Sequence, residues 1–356
     1  MSLRVLVAGV GVMGSSHTKG YARIPGFEVA GFVVEHNVDR AKQLAARLGL
    51  EIPVYTDFSK ALKQVKPDVA SINTLTDMHA RFAIQAMRQG CHVFVEKPLG
   101  MTVAEAEETA RVVRETGRKL VVGYILRVHP AWTKFIELAQ GLGKPLIMRM
   151  NLNQQSYGHE WETHKAFIRN TPPLVDCGVH YVDVMCQMTR SRPVLVQGIG
   201  ARVTDEIAHD AHNYGALQVV FEDLSVGWYE VGWGPMMSKV AFFVKDVIGP
   251  KGSVSIDKDT RSIDPAAVSG HAKVESIILH SGARNADGGP ATEDQVIRID
   301  DEPDHDELCK REQERLLKAI QSDEDLSSHI QDAVNSLRIC FAGVESYKTG
   351  RAIRLL

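Results

Sequence analysis

The sequence predicts an α/β protein: an N-terminal Rossmann doubly wound parallel sheet, then a C-terminal α+β domain with a large, mostly antiparallel open sheet. Three observations predict it. The first 125 residues alternate short β-rich runs with helical patterns. A G-x-G-x-x-G run directly follows the first β-rich run. Beyond residue 124, longer strand-like stretches follow one another with few helices between them.

The early β-rich runs are 4–8, 28–34, 68–73, 92–95 and 119–123. Most lack clean alternation, as expected of parallel strands buried on both faces. Between them, 15–23, 39–48, 59–65, 79–89 and 104–116 carry apolar residues at helical spacing. Repeated β–α units with right-handed crossovers cover a parallel sheet with helices on both sides. The second half reads as a helix over 130–142 and another beginning after Pro172-Pro173. Strands are expected over 145–154, 194–203, 213–221, 225–230 and 239–247, with shorter pieces at 274–279 and 295–299. The acidic run Asp300-Asp301-Glu302-Pro303-Asp304 reads as a solvated loop complementing the N-terminus of a helix over 306–321. A last helix over 328–348 stops at Gly350, a C-cap signal. The expected domains are 1–124, binding a dinucleotide, and 125–356, binding substrate.

Composition narrows the function classes. Lys plus Arg is 41 and Asp plus Glu 44, a net charge of −3 over 356 residues, which argues against a nucleic-acid partner and an electrostatic membrane anchor. No run approaches the ~18 apolar residues of a membrane span, and residues 2–10 are too short for a signal-peptide core. The five cysteines are scattered, none at CxxC spacing, so reduced thiols in a cytoplasmic protein are expected and no metal site is suggested. His209 and His212 lack a third ligand at suitable spacing and read as part of a turn.

Position supplies the chemistry. In Gly9-Val10-Gly11-Val12-Met13-Gly14, the first glycine permits a tight turn, the second lets backbone approach a pyrophosphate, and the third allows helix–strand packing. The helix that follows offers N–H groups to the phosphates. Glu35, at the end of the second strand, could accept hydrogen bonds from an adenosine ribose diol and repel a 2′-phosphate. NAD is therefore expected in preference to NADP, with Arg40 nearby weighing the other way.

Two further groups carry catalytic potential. Lys97 follows the 92–95 strand in Glu96-Lys97-Pro98, at the carboxyl end of the sheet. Asp176, His180, Asp183 and Gln187 recur at helical spacing as one polar stripe on an otherwise apolar helix. That stripe fits either a cleft lining or a buried histidine satisfied by carboxylates. Tyr124, Arg127 and the 157–164 segment, including Trp161, stand where strands and loops would face a cleft; for 157–164 a surface loop is an equal reading.

These pieces together resemble the glucose-fructose oxidoreductase/inositol dehydrogenase/rhizopine-catabolism (Gfo/Idh/MocA) family over nearly the whole chain. They are the glycine motif, Asn73-Thr74-Leu75-Thr76 to His79, Glu96-Lys97-Pro98, Gly123-Tyr124-Ile125-Leu126-Arg127, Asp176-x-x-x-His180, Gly249-Pro250-Lys251-Gly252-Ser253 and the closing Ser346 to Arg351. The resemblance implies an NAD(P)-binding Rossmann domain, oxidation of a secondary hydroxyl on a sugar, inositol or related polyol, and a homodimer or homotetramer packed through the C-terminal sheet. It also implies cofactor contacts at Thr74, Leu75, His79 and Glu96, and a cis bond before Pro98. Lys97 and His180 would handle the hydroxyl proton, and Asp176 would orient His180 or hold a neighbouring hydroxyl. Other activities on this fold are NAD-cycling glycosidic cleavage and non-catalytic dinucleotide sensing. One departure is Asn170-Thr171-Pro172-Pro173-Leu174, stiffened by two prolines where the family often has glycines.

Overall fold

The computed structural model describes residues 2–238, 244–257, 270–300 and 302–355. The chain forms two compact units, Met1–Val128 with Pro303–Val334, and His129–Glu302 with Asn335–Leu356. A single cut near residue 124 thus describes only the outward path of the chain. The first unit takes back residues 303–334, because apolar side chains there complete its core.

In the first unit the elements are β1 (Leu3–Ala8), α1 (Val12–Arg23), β2 (Phe27–Val33), α2 (Val38–Arg47), β3 (Val54–Tyr55), α3 (Phe58–Val65), β4 (Val69–Ile72), α4 (His79–Arg88), β5 (His92–Glu96), α5 (Val103–Thr116) and β6 (Leu120–Gly123). The strands form one sheet, ordered β3-β2-β1-β4-β5-β6, with every pair parallel. β4 and β6 are buried throughout, which is why their sequences do not alternate. β3 escapes sequence reading because it is only two residues long. Helix starts follow local chemistry: Asp57 caps α3 through Lys60 N–H, and Thr102 caps α5 through Glu105 N–H. Helix α10 (His305–Gln321) and the first part of α11 (Ser327–Thr349) belong here too. Leu316, Leu317, Ala319 and Leu326 join Val5, Val7, Phe32 and Phe94 in one apolar cluster. Of the acidic run, Asp304 caps α10 by accepting Glu307 N–H at 2.8 Å, while Asp301 lies outside the described residues.

The second unit contains α6 (Pro130–Gly141), β7 (Ile147–Gln154), α7 (Gly158–Ile168), α8 (Pro173–Asp176), α9 (Gly178–Thr189), β8 (Pro193–Ala201), β9 (Tyr214–Phe221), β10 (Val226–Trp233), β11 (Lys245–Gly249), β12 (Gly252–Asp257), β13 (Ser276–Ser281), β14 (Gln295–Arg298) and β15 (Ile353–Arg354). Nine strands form a sheet ordered β14-β13-β12-β11-β7-β10-β9-β8-β15. Among the described residues only β7 and β10 pair in parallel here, with Ile147 opposite Val226 and Gln154 opposite Trp233. One face carries α6 and α9. Close approach of α11 to β8 rests on two glycines: a Cβ on Gly198 would stand 2.2 Å from the Gly343 carbonyl oxygen. The other face leaves Ile147, Ile199, Val226 and Ile248 exposed. The strand expected over 239–247 is seen as Lys245–Gly249; residues 239–243 lie outside the described residues. Segment 157–164 is helix rather than surface loop, since Trp161, His164 and Ile168 of α7 are buried. Among the described residues no helix is long and apolar enough to cross a membrane.

Candidate active site

Strand order in the first unit reverses between β1 and β4, and open α/β sheets take ligands outside the carboxyl ends of their strands at such a point. Gly9 holds φ +83°, and a Cβ there would meet the Asn73 carbonyl oxygen at 2.4 Å. On Gly14 it would meet the Gly9 carbonyl oxygen at 1.9 Å, while on Gly11 it meets nothing within 4 Å. Packing therefore demands the outer two glycines, and open space lies beside the middle one. Gly11 is the N-cap of α1 and no side chain caps that helix. The first-turn N–H groups at Val12 and Met13 are thus left for an anionic ligand.

A cavity of about 580 Å³ is lined by Gly9, Gly11, Glu35, Arg40, Thr74 and Leu75. The Glu35 side chain is 85% exposed at the cavity wall, with His36 Nε2 3.9 Å from its carboxylate. Phe58 and Phe82 also line it, with ring centroids 4.2 Å apart, and give the groove an apolar wall. Sequence reading missed these two. An aromatic residue directly after the Asp57 cap was the available signal.

His79 and Glu96 turn inward. His79, 2% exposed, spans two carbonyls, with Nδ1 2.8 Å from Pro98 O and Nε2 3.1 Å from Thr74 O. It ties the groove turn to the Lys97-Pro98 turn, and burial holds its pKa below the ordinary histidine value. Glu96 accepts from His17 Nε2 at 2.6 Å and from Lys97 N–H at 3.2 Å. Burial, the largest single influence, would raise the Glu96 pKa, but the His17 hydrogen bond together with the charges of His17, Lys97 and His79 outweighs it and holds the carboxyl below its usual range. Lys97 is half-buried and precedes a cis peptide bond to Pro98. Tyr124 and Arg127 do not project from a loop. Tyr124 is buried edge-on to His329 of α11, and Arg127 pairs with Asp332 at 2.8 Å with both side chains about nine-tenths buried.

In the second unit, Asp176 ends α8 and is half-buried. The helix is interrupted at Cys177 and resumes as α9, buried along its whole length. The polar stripe thus crosses a break instead of following one continuous helix. His180, Asp183 and Gln187 are all buried, and Gln187 donates to Asp183 Oδ2 at 3.0 Å. Trp161 donates its indole N–H to Glu206 Oε2 at 3.1 Å, and that oxygen also takes Lys165 Nζ at 2.9 Å.

His164, from the 157–164 segment expected to face a cleft, and side chains that the sequence did not single out together surround this stripe. Gln154 Oε1 accepts the Trp233 indole N–H at 2.7 Å and lies 3.6 Å from Cys177 Sγ. His164 stacks on Trp233 at 4.3 Å, and its Nδ1 stands 3.0 Å from Ser156 Oγ. Burial lowers the His164 pKa to about 4, against the opposing charge of Asp176. Tyr181 OH meets His271 Nδ1 at 3.1 Å, and buried Lys245 lies over the Tyr181 ring at 4.8 Å. These contacts join residues far apart in sequence, so no spacing rule announces them.

Two family models match the chain: an oxidoreductase family, NAD-binding Rossmann fold over residues 3–124, and the C-terminal alpha/beta domain of the same family over 137–355. The chain belongs to the Gfo/Idh/MocA oxidoreductase family. A 4-carboxy-2-hydroxymuconate-6-semialdehyde dehydrogenase from Sphingobium sp. is 31% identical over 172 residues, 46% of this chain and 54% of that protein. A UDP-N-acetylglucosamine 3-dehydrogenase from Acidithiobacillus ferrooxidans is 31% identical over 205 residues, 57% of this chain and 60% of that protein. The chain thus spans between half and two thirds of the length of these relatives. Scyllo-inositol dehydrogenase from Lactobacillus casei, solved with NAD(H) and scyllo-inositol, superposes with a TM-score of 0.77 at 17% identity over 99% of both chains. That likeness establishes the shared fold.

Proposed function

We propose that this family member is an NAD-dependent dehydrogenase that moves hydride between a secondary hydroxyl of a sugar, inositol or related polyol and nicotinamide. The groove at the β1/β4 reversal carries this reading. It joins an uncapped helix start behind Gly9, Gly11 and Gly14 to an exposed carboxylate at Glu35. Glycine backbone suits a pyrophosphate and Glu35 suits a ribose diol, so these residues fit NAD better than NADP. Relatives named for a sugar-nucleotide 3-dehydrogenase and for scyllo-inositol dehydrogenation support a hydroxyl on a ring as substrate.

Bound NAD supplies the hydride acceptor. In the proposed mechanism His180 takes the hydroxyl proton as general base, and Asp176 orients it or holds a neighbouring hydroxyl. Lys97 hydrogen-bonds the reacting oxygen and stabilises developing alkoxide charge. Thr74, Leu75 and Arg40 contact the cofactor, while His79 and Glu96 position the turns that do so. The exposed apolar face of the nine-stranded sheet supports a homodimer or homotetramer. Five free, buried thiols support a reducing, cytoplasmic setting.

The test is a panel of inositols, aldoses, sugar acids and nucleotide sugars, followed by the formation of NADH from NAD and of NADPH from NADP in parallel. Turnover with NAD is expected on at least one hydroxylated ring. His180→Ala should lower kcat by ~10²-fold or more with NADH affinity unchanged. No turnover on the whole panel, or an unchanged kcat in that variant, overturns the reading.

A further inference from the structure

Helices α1 and α10 pack closely because Gly20 faces α10: a Cβ there would stand 3.1 Å from Lys310 Cα. At this contact lie side chains that the dinucleotide groove does not use. His17, fully buried, projects from α1, and Cys309, Glu312 and Gln313 project from α10 at i, i+3 and i+4. A ligand atom from each of His17, Cys309 and Glu312 lies within 4.8 Å of the other two. Both Glu312 carboxylate oxygens and Gln313 Oε1 are buried with no hydrogen-bond partner. A buried carboxyl group with neither oxygen hydrogen-bonded is a costly arrangement, which a cation relieves. His17 is also oriented for ligation. When its Nε2–H donates to Glu96 Oε1, Nδ1 keeps its lone pair toward α10, where Gln313 Nε2 stands 2.8 Å away. A carboxylate on the far nitrogen is the usual outer partner of a metal-bound imidazole.

We propose that the α1–α10 contact is a structural metal site that takes Zn²⁺ through His17 Nδ1, Cys309 Sγ and the Glu312 carboxylate. Thiolate, imidazole and carboxylate together favour Zn²⁺ over the oxygen-seeking Mg²⁺ and Ca²⁺. Bonds of about 2.0–2.3 Å to a tetrahedral ion set neighbouring ligand atoms roughly 3.5 Å apart, so the three donors close by up to about an ångström, and the second Glu312 oxygen completes the coordination. The Gln313 amide then gives up Nδ1 and rotates. His305 Nε2, 3.5 Å from Cys309 Sγ, is the neighbour positioned to hydrogen-bond the bound thiolate. The ion would cross-link the helix behind the glycine loop to α10.

Because the site is buried, loading is tested during folding. Full-length protein is unfolded with chelator, refolded with Zn²⁺ or Co²⁺, and freed of excess metal. Metal analysis should find one equivalent per chain, and the cobalt form should show a thiolate-to-cobalt charge-transfer band. Cys309→Ser should abolish the band, Glu312→Gln should weaken binding at least ~10-fold, and Cys186→Ser should leave both unchanged. Metal-free protein both as purified and after refolding overturns the proposal, as does a band that survives Cys309→Ser. If Cys309→Ser does not refold, as judged by circular dichroism, unchanged metal affinity in Glu312→Gln overturns it.

Discussion

The dinucleotide groove of the first unit and the polar stripe of the second are built by different means. Backbone makes the groove. Gly9 and Gly14 admit close approach, α1 presents an uncapped start, and the ligand-facing groups fall within a few residues of strand ends. Side chains from many elements make the surroundings of the stripe: Gln154 from β7, His164 from α7, Trp233 from β10 and Lys245 from β11 converge around α8 and α9. Backbone geometry tolerates almost no substitution at its fixed points. A side-chain mosaic tolerates exchange residue by residue, which leaves room for substrate preference to change.

The contrast is most easily broken at Gly14. Gly14→Ala puts a methyl group 1.9 Å from the Gly9 carbonyl oxygen, a backbone atom that cannot rotate away. NADH affinity should fall by at least ~10²-fold in a fluorescence titration, as expected for a displaced phosphate-binding loop. Retained affinity would mean that the loop is not backbone-limited. Next is His79→Ala, which removes the ring that spans the Pro98 and Thr74 carbonyls and its one N–H donor. A loss of about 1–3 kcal/mol in denaturant unfolding is expected, with kcat falling more than NADH affinity because the Lys97-Pro98 turn loosens. Glu35→Ala should be milder, weakening NAD by ~10-fold and narrowing the NAD/NADP ratio measured by paired titrations. An unchanged ratio would remove Glu35 as the discriminator.

A pH-dependent effect tests the mosaic. His164 titrates near 6.5 when unfolded and at about 4 when folded. The unfolded state therefore binds the extra proton between those values. Stability from this group is complete above pH 6.5 and is lost as pH falls toward 4, by at most about 1.4 kcal/mol per pH unit. His164→Gln should flatten that acid limb in unfolding curves taken across the window. An unaltered slope would place the acid sensitivity elsewhere.

The same contrast explains what was legible in the sequence. Gly9, Gly11, Gly14 and Glu35 announced the groove because one strand–turn–helix carries its key parts. Buried parallel strands were readable as unbroken apolar runs, whereas β3, with two residues, offered no period at all. Helix α7 went unread as helix because its buried residues, Trp161, His164 and Ile168, form too weak an apolar stripe among charged neighbours. Tyr124 and Arg127 looked free because their partners, His329 and Asp332, come from α11, some two hundred residues later. The burial of Glu96 and His79 was not legible, because motif position does not reveal which way a side chain points.

The return of residues 303–334 to the first unit has a consequence for synthesis. Leu316, Leu317, Ala319 and Leu326 complete a cluster that begins with Val5 and Val7. When residue 128 has left the ribosome, that cluster is still open, and it stays so until roughly 200 further residues are made. At about 5–20 residues per second this wait is on the order of 10–40 seconds. The half of the protein made first is thus among the last to finish folding, and during that interval its apolar face needs shelter from other nascent chains.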